Sequence, residues 1–201
     1  MSLTTESIKT AVDAIHANID VVGAELNELD GKVGDGDLGV TLINGFNNIQ
    51  TIKEDMPSDV GMALFECAKA ITKVSGSSFG TLMATALMAA GKLTKGQEQV
   101  SWNEISSLLQ ASQDAMIARG GANLGDKTVL DSLQAVIDAT KDIDEPKTLL
   151  NSAKTASESA LAEFKDKQCK IGRARIFGER TIGMDDPGMV AIQRMLESLN
   201  T

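Results

Sequence analysis

Apolar side chains recur at helical spacing along most of the chain. The clearest series alternates steps of four and three residues, through Ile8, Val12, Ile15, Ile19, Val22, Leu26 and Leu29. Such a series buries one narrow face of a helix and is also compatible with a coiled coil. Because it stops before Asp30 and no later segment continues it, we predict one long helix of a bundle.

Seven further helices are predicted from the same spacing and from signals at their ends. Ser101 and Glu104 form a capping box, Pro146 suits a first helical turn, and Asp186 precedes Pro187 as an N-cap precedes a first-turn proline. The predicted segments are about 40–52, 57–71, 81–93, 101–119, 126–137, 146–164 and 187–199. Short connections make consecutive helices antiparallel, so the pattern predicts an all-α fold, an eight-helix up-and-down antiparallel barrel or bundle.

This topology sorts the connections between two ends of the molecule. The first, third, fifth and seventh would meet at one end, and they read GKVGDGDLG (31–39), VSGSSFG (74–80), RGGANLGDKT (119–128) and GRARIFGERTIGMDDPG (172–188). The other three, near residues 53–58, 94–100 and 140–145, are ordinary polar turns. Because the glycine-rich and charged segments collect at one end, a binding site is expected there.

Composition and charge narrow the range of functions. A chain of 201 residues fits a single domain spanning 1–201, and an aromatic content of 3% agrees with an all-α fold. The net charge of −9 argues against nucleic acid or an anionic membrane as a partner. Two cysteines, Cys67 and Cys169, are too few for a disulfide framework and favour a reducing, cytoplasmic setting.

Three aspartates dominate the first glycine-rich connection. Asp30, Asp35 and Asp37 fall within eight residues, and the glycines between them let the backbone fold their carboxylates onto one point. Hard oxygen ligands of this kind suit magnesium or calcium rather than zinc. An EF-hand counted from Asp35 is excluded, because Val40 and Phe46 stand where it needs glycine and glutamate. The alternative is a purely structural turn, in which the aspartates serve as helix caps.

The second connection has the character of a phosphate-binding turn. Gly76 to Thr81 places small hydroxyl residues and backbone N–H groups before a predicted helix. A plain interhelical turn is the alternative here. The last connection contains Arg173, Arg175 and Arg180, which could neutralise phosphate, and solvated surface positions are the alternative for them. The segment Gly120 to Thr128 is not a P-loop, because Asp126 interrupts the motif and no strand precedes it. Together the segments indicate a metal–nucleotide site, and no catalytic side chain is assigned.

The same segments carry a family resemblance. The motifs are Asp30…Gly34-Asp35-Gly36-Asp37-x-Gly39, Gly80-x-Leu82, Arg119-Gly120…Gly125-Asp126-Lys127-Thr128, and Gly172-Arg173-Ala174…Gly178-Glu179-Arg180-x-Ile182-Gly183…Asp186-Pro187-Gly188. In this order they resemble the L subunit of dihydroxyacetone kinases over essentially the whole chain. The resemblance implies an eight-helix barrel that holds ADP or ATP at one end.

The resemblance also implies a role for individual residues. It makes Asp30, Asp35 and Asp37 the ligands of two Mg²⁺ ions. It assigns phosphate binding to Leu38, Gly39, Val40 and Thr41 and to Ser77, Ser78, Phe79 and Thr81. It assigns the rest of the nucleotide pocket to Gly120, Val129, Arg173, Asp186, Pro187 and Gly188. Two residues depart from the family pattern: Leu38 replaces a histidine or another polar residue of many members, and Phe79 replaces a serine.

Partners follow from the same resemblance. The sugar acceptor of this family is held by a separate K-type subunit, through a covalent link to a histidine. A phosphotransferase-system M-type subunit that recharges resident ADP is a further expected partner, while other members use exchangeable ATP. Two alternatives stay open: an ATP-dependent kinase subunit for a related sugar such as a tetrulose, and a non-catalytic nucleotide-sensing partner of a transcription regulator.

Overall fold

The computed structural model describes residues 2–200, and the fold is all-α. Nine α-helices form within these residues: α1 Thr5–His16, α2 Ile19–Val33, α3 Leu38–Ile52, α4 Val60–Val74, α5 Ser78–Thr94, α6 Ile105–Gly120, α7 Val129–Thr140, α8 Pro146–Phe164 and α9 Pro187–Ser198. Three 3₁₀ segments, Lys53–Asp55, Trp102–Glu104 and Ala174–Thr181, lie between them. Two short antiparallel strands, β1 (Ser2–Leu3) and β2 (Val100–Ser101), pair near the start of α6. None of the described helices is long and apolar enough to cross a membrane.

The prediction of one long first helix is wrong, because this segment forms two helices, α1 and α2. The helix breaks at Asn18, whose φ of −113° and ψ of 1° leave the helical region. The side-chain amide of Asn18 donates to the carbonyl of Ala14, which a continuous helix would pair with the backbone N–H of Asn18. That N–H bonds instead to Ile15. Local side-chain competition of this kind interrupts helices without disturbing the apolar spacing.

Three further predicted helix starts need correction. The helix predicted from residue 81 begins at Ser78 and is capped by Ser77. The helix predicted from residue 57 begins at Val60, since the carboxylate of Asp59 accepts from the backbone N–H of Met62. The helix predicted to be capped by Asp126 begins at Val129 and is capped by Thr128. Pro146, Pro187 and the capping box at Ser101 lie where the sequence predicts them.

Helices that follow one another in the chain pack side by side. Each of α2 to α8 contacts its successor, and α9 also contacts α2 and α7, so the succession closes on itself. A bidentate ion pair between Glu25 of α2 and Arg194 of α9, with both N–O distances 2.7 Å, reinforces this closure. Helix α1 lies against α3 and touches α2, α4 and α9. The largest apolar cluster, which includes Leu26, Leu42 and Ile71, fills the space between these helices.

The connections gather at two ends of the molecule. We call the glycine-rich end the one formed by residues 34–37, 75–77, 121–128 and 165–186. Side chains tie three of these connections together there, for example Arg173 to Asp35 and Lys127 to the carbonyl of Thr181. The fourth, residues 75–77, is joined to α3 by a bond between Ser77 and Thr41. The far end is formed by residues 53–59, 95–104 and 141–145, where Ser58 bonds Glu98 and Ser101 bonds Asp144.

Candidate functional site

The acidic turn between α2 and α3 brings three carboxylates together. Asp30 stands in the last turn of α2, Asp35 in the connection, and Asp37 directly before α3. One oxygen from each carboxylate lies within 4.8 Å of the others, and all three side chains are at least partly exposed. Oxygen ligands at this spacing can share one or more hard divalent cations.

The capping explanation of this turn accounts for Asp30 only. The Oδ2 atom of Asp30 accepts from the backbone N–H groups of Asp37 (3.0 Å) and Leu38 (3.3 Å), so Asp30 caps α3 from outside. Asp37 occupies the N-cap position but its side chain makes no capping bond. Two of the three carboxylates are therefore left without the structural role that capping would give them.

Electrostatics of the turn favour a positive ligand. Burial, and then the nearby charges of Asp35 and Asp30, raise the pKa of Asp37 above its ordinary value. The guanidinium of Arg173 contacts Asp35 at 2.6 Å and opposes this shift only in part. A divalent cation among the three carboxylates would relieve their mutual repulsion.

The turn before α5 meets the start of α3. The hydroxyl of Ser77 caps α5 by accepting from the N–H of Gly80 at 3.0 Å. It also accepts from the hydroxyl of Thr41 at 2.8 Å, and Ser75 lies 3.2 Å away. Because this network joins the first turns of α3 and α5, two helix N-termini lie side by side near the carboxylates. Paired N-termini provide N–H donors and a positive potential for phosphate oxygens.

The two departures from the family pattern are both apolar packing positions. Leu38 is 8% exposed and belongs to the main core. Phe79 is partly buried and packs against the main core and against a second cluster around Val129. These side chains face the core, so what they offer the turns is their backbone. Ser78 is exposed, and Thr81 donates to the carbonyl of Ser77 at 2.9 Å.

A second group of candidate residues lies around the second apolar cluster, which includes Val129. Gly120 ends α6, and a side chain there would press on Leu82 of α5. A Cβ atom added at Gly188 would lie 3.4 Å from the Cβ atom of Val129, the first residue of α7. Pro187 opens α9 and is buried. Phe79 packs against the main core, which includes Leu38, and against the second cluster, which includes Val129.

Asp186 is the charged member of this second group. Its Oδ1 atom caps α9 by accepting from the N–H of Met189 at 2.9 Å. Burial nevertheless raises the pKa of Asp186 to about 7, because desolvation outweighs the backbone bonds and the charge of Lys127. The folded chain thus holds a carboxylate with an unfavourable negative charge beside the candidate pocket.

Lys127 is a functional candidate that the sequence did not reveal. Its side chain is 1% exposed, and burial lowers its pKa. The Nζ atom donates to three backbone carbonyls in the connection between α8 and α9. The motif around it is not a P-loop, and its ammonium binds oxygens of the protein itself. All of these contacts are distant in sequence, so no local pattern could have indicated them.

A match to a family model shows which protein family the chain belongs to. The model of the DAK2 domain matches residues 32–201. The chain belongs to the DAK2 domain family. Its relatives include the ADP-binding subunit DhaL of the PEP-dependent dihydroxyacetone kinase of Escherichia coli, 28% identical over 87% of this chain and 85% of that one. The corresponding subunit of the PTS-dependent kinase of Lactococcus lactis is 32% identical over 88% of this chain and 86% of that one.

Solved structures of the DAK2 family share the fold. The dihydroxyacetone kinase of C. freundii in complex with AMP-PNP and Mg²⁺ superimposes with a TM-score of 0.75 at 25% identity. The match covers 98% of this chain and 34% of the kinase, so the chain spans about a third of that protein's length. Within the DAK2 family, this chain groups with the DhaL type of ADP-binding subunit.

Proposed function

We propose that this chain is the nucleotide-binding subunit of a dihydroxyacetone kinase, holding Mg–ADP at the glycine-rich end of a single up-and-down helical barrel, residues 1–201. One observation carries the proposal. Three carboxylates converge beside two paired helix N-termini, so sites for cations and for phosphate oxygens adjoin one another. The relatives named DhaL are ADP-binding subunits, which agrees with that chemistry.

The acidic turn supplies the metal half of the proposed site. Asp30, Asp35 and Asp37 would hold two Mg²⁺ ions, whose charge would neutralise the phosphates during transfer. The freedom of Asp35 and Asp37 from capping bonds supports this role. Arg173 contacts Asp35, and its guanidinium adds a positive charge that could bind the phosphate oxygens.

The remaining candidates form the nucleotide half. The first turns of α3 (Leu38, Gly39, Val40 and Thr41) and of α5 (Ser77, Ser78, Phe79 and Thr81) would offer backbone N–H groups and hydroxyls to the phosphates. Gly120, Val129 and the Asp186-Pro187-Gly188 turn would line the pocket for the nucleoside. Glycine at positions 120 and 188 keeps space beside Leu82 and Val129, which a side chain would fill.

Residues 2–200 show no site that would hold the sugar acceptor. The single histidine of the chain, His16, ends α1 and pairs with Asn47 of α3 at 2.9 Å. Asn47 is ten residues beyond Asp37, about 15 Å by helical rise. A sugar bound at His16 would lie far from the proposed phosphates. We therefore expect a K-type subunit to present the acceptor and, in the phosphoenolpyruvate-dependent form, an M-type subunit to recharge the nucleotide.

A reconstituted assay tests the subunit role. The purified chain with Mg–ATP should leave dihydroxyacetone unphosphorylated, because transfer requires an acceptor held in line with the terminal phosphate. A K-type subunit is then added under two conditions, one with phosphoenolpyruvate and the phosphotransferase proteins and the other with ATP. Dihydroxyacetone should be phosphorylated in one of these two arms. Running each arm with dihydroxyacetone and with a tetrulose identifies the acceptor. Kinase activity from the chain alone would refute the proposal that a separate subunit holds the acceptor.

The nucleotide carried by the purified protein identifies the phosphoryl route. Mass spectrometry after denaturation should find ADP in near-stoichiometric amount if the nucleotide is a resident cofactor. An exchangeable ATP site would be emptied by dialysis in a buffer that contains Mg²⁺ and no nucleotide. Binding of ADP without activity in any reconstituted arm would favour the nucleotide-sensing alternative instead.

A further inference from the structure

The connection between α8 and α9 is a long strap over the glycine-rich end. We use the name strap for residues 165–186. Its middle carries Arg173, Arg175 and Arg180, and the side chain of Ile176 at its tip is 81% exposed. A segment with so little buried surface depends on contacts at its base for a defined position.

One buried lysine supplies much of that base. The Nζ atom of Lys127 donates to the carbonyl oxygens of Lys165 at 2.9 Å, Lys167 at 2.8 Å and Thr181 at 2.9 Å. These bonds use all three donors of an ammonium group. Lys165 and Lys167 begin the strap and Thr181 lies near its end, so one side chain joins both ends.

The backbone around Lys127 is shaped for this contact. Lys127 has a φ of 63°, a left-handed conformation that is uncommon for residues other than glycine. Such conformations persist where the surroundings impose them, often at functional sites. The next residue, Thr128, caps α7, whose first residue is Val129 of the candidate nucleotide pocket. Lys127 therefore links the pocket wall to the strap.

Further bonds make the base of the strap a closed unit. The N–H of Gly183 donates to the carbonyl of Lys165 at 2.9 Å, and the N–H of Cys169 donates to the hydroxyl of Thr181 at 2.9 Å. The N–H of Lys170 donates to the carbonyl of Asp126 at 3.1 Å. With the base fixed, the direction in which the strap leaves it is fixed as well.

The strap places Arg173 beside the acidic turn. Its Nη1 atom lies 2.6 Å from Oδ2 of Asp35, although the Arg173 side chain is 67% exposed and has few other constraints. An exposed arginine gains little from an isolated ion pair and would otherwise sample many rotamers. Its position near the carboxylates therefore depends on where the strap holds its backbone.

We propose that Lys127 is a positioning residue of the nucleotide site: by binding both ends of the strap, it sets where Arg173 stands relative to the metal-binding carboxylates. The inference rests on the proposed function for its effect on nucleotide binding. Removing the ammonium would take one donor from each of three carbonyls: that of Lys167 would lose its bond, and those of Lys165 and Thr181 would keep only the N–H groups of Gly183 and Met184. Water would open the base to replace the lost bonds. Arg173 would then lose its defined place.

Hydrogen exchange tests the structural half without any nucleotide. In the ligand-free chain, Lys127→Met should speed amide exchange at Cys169, Lys170 and Gly183 by about a hundredfold, while α3 and α4 keep wild-type rates. Lys170→Met is the matched control, since the Lys170 side chain bonds a single carbonyl, that of Gly125, from an exposed position. Unchanged exchange in Lys127→Met would overturn the proposal.

A double-mutant cycle on Mg–ADP affinity tests the functional half. Lys127→Met and Arg173→Gln should each raise the Kd by about tenfold, and the double variant should be no weaker than Arg173→Gln. This non-additivity distinguishes positioning of Arg173 from a general structural role, which would give multiplied losses and would overturn the proposal. If the wild-type chain binds no Mg–ADP, the proposed function fails, and the exchange experiment still decides whether Lys127 holds the strap.

A second variant guards against misfolding of Lys127→Met. Thr181→Val keeps the side-chain volume and removes the hydroxyl that accepts from Cys169 and donates to Gly178. It loosens the same base while Lys127 remains. It should reproduce the faster strap exchange and the same non-additivity with Arg173→Gln. Wild-type Mg–ADP affinity in a Thr181→Val chain whose strap exchanges faster would overturn the link to the site.

Discussion

Two aspartates cap helices at the two ends of the molecule, and folding shifts their pKa values in opposite directions. At the far end, Asp59 accepts from the N–H groups of Met62 and Gly96, and these bonds lower its pKa. At the glycine-rich end, Asp186 accepts from the N–H of Met189, yet burial raises its pKa to about 7. The same capping chemistry is thus stabilising in one setting and opposed by its surroundings in the other.

The difference shows how the two ends are built. At the far end, polar side chains bond one another and the helix termini, so charge is satisfied within the chain. At the glycine-rich end, Asp37 also has a raised pKa because of burial and neighbouring carboxylates. An excess of poorly compensated carboxylates is costly in the free protein and favourable once a cation binds. Such perturbed groups are typical of functional sites.

Matched glycine substitutions should give the largest effects on stability. A side chain at Gly39 would overlap the carbonyl oxygen of Gly23 where α2 crosses α3, and one at Gly61 would overlap that of Gly91 where α4 crosses α5. Overpacking against backbone should cost about 3 kcal/mol in either Gly39→Ala or Gly61→Ala, measured by urea unfolding.

The same two glycine variants test whether nucleotide binding depends on the glycine-rich end alone. Gly39 lies in the first turn of α3 beside the acidic turn, so Gly39→Ala should also weaken Mg–ADP binding by calorimetry. Gly61→Ala, measured on folded protein, should keep the wild-type Kd. Equal losses of affinity in both variants would mean that binding depends on general packing and that the ends are not specialised.

Asp186 should make the ligand-free chain less stable as pH rises. Its folded pKa is above the ordinary value of 3.8, so its favourable contribution is complete below about pH 4 and is lost on the way to about pH 7. Asp186→Asn keeps an N-cap and removes the titration. Relative to wild type, it should gain about 2 kcal/mol of unfolding free energy between these pH values, after a discount for partial exposure.

Asp59→Asn provides the opposite control. The pKa of Asp59 is lowered, so its contribution is present above its ordinary value and lost as pH falls through the folded pKa. Its substitution should change the pH profile only below about pH 4. A profile for Asp186→Asn that parallels wild type from pH 4 to 7, in EDTA, would contradict the contrast between the two caps.

The ion pair that joins α2 to α9 should give the smallest effect. Arg194 bonds both carboxylate oxygens of Glu25 and lowers its pKa. Because both side chains are about a third exposed, Glu25→Gln should cost only about 1 kcal/mol. The exposed pair Lys32–Glu28 within α2 is the control, and Glu28→Gln should be neutral in the same urea experiment. A neutral Glu25→Gln would show that packing alone closes the succession of helices.

Much of the fold follows from local signals in the sequence. Pro146 and Pro187 act through neighbouring backbone groups, so α8 and α9 begin where predicted. The capping box at Ser101 also forms, but it opens the 3₁₀ segment Trp102–Glu104 that precedes α6. The break at Asn18 was missed because the apolar spacing continues across it. What ends α1 is a hydrogen bond from the Asn18 side chain, which competes with the helix and leaves the hydrophobic pattern unchanged.

The site was predictable only where its parts are close in sequence. The convergence of Asp30, Asp35 and Asp37 follows from glycines within one short turn, and the structure brings their oxygens together. Arg173 was predicted as a phosphate ligand, and its contact with Asp35 depends on how the strap is held. That support comes from Lys127, whose partners are 38 to 54 residues away. Contacts of this range are set by packing and leave no periodic signal.

Calorimetric titration of ADP in the presence of Mg²⁺ tests the central claim most directly. Wild type, first freed of any carried nucleotide by dialysis against EDTA, should bind one nucleotide per chain once Mg²⁺ is restored, and EDTA should abolish the heat. Asp37→Asn, which removes a carboxylate without removing a capping bond, should weaken binding by at least about a hundredfold, or 2.7 kcal/mol. Asp59→Asn should bind as wild type does. Near-wild-type affinity in a folded Asp37→Asn chain would contradict the assignment of the acidic turn as the metal–nucleotide site.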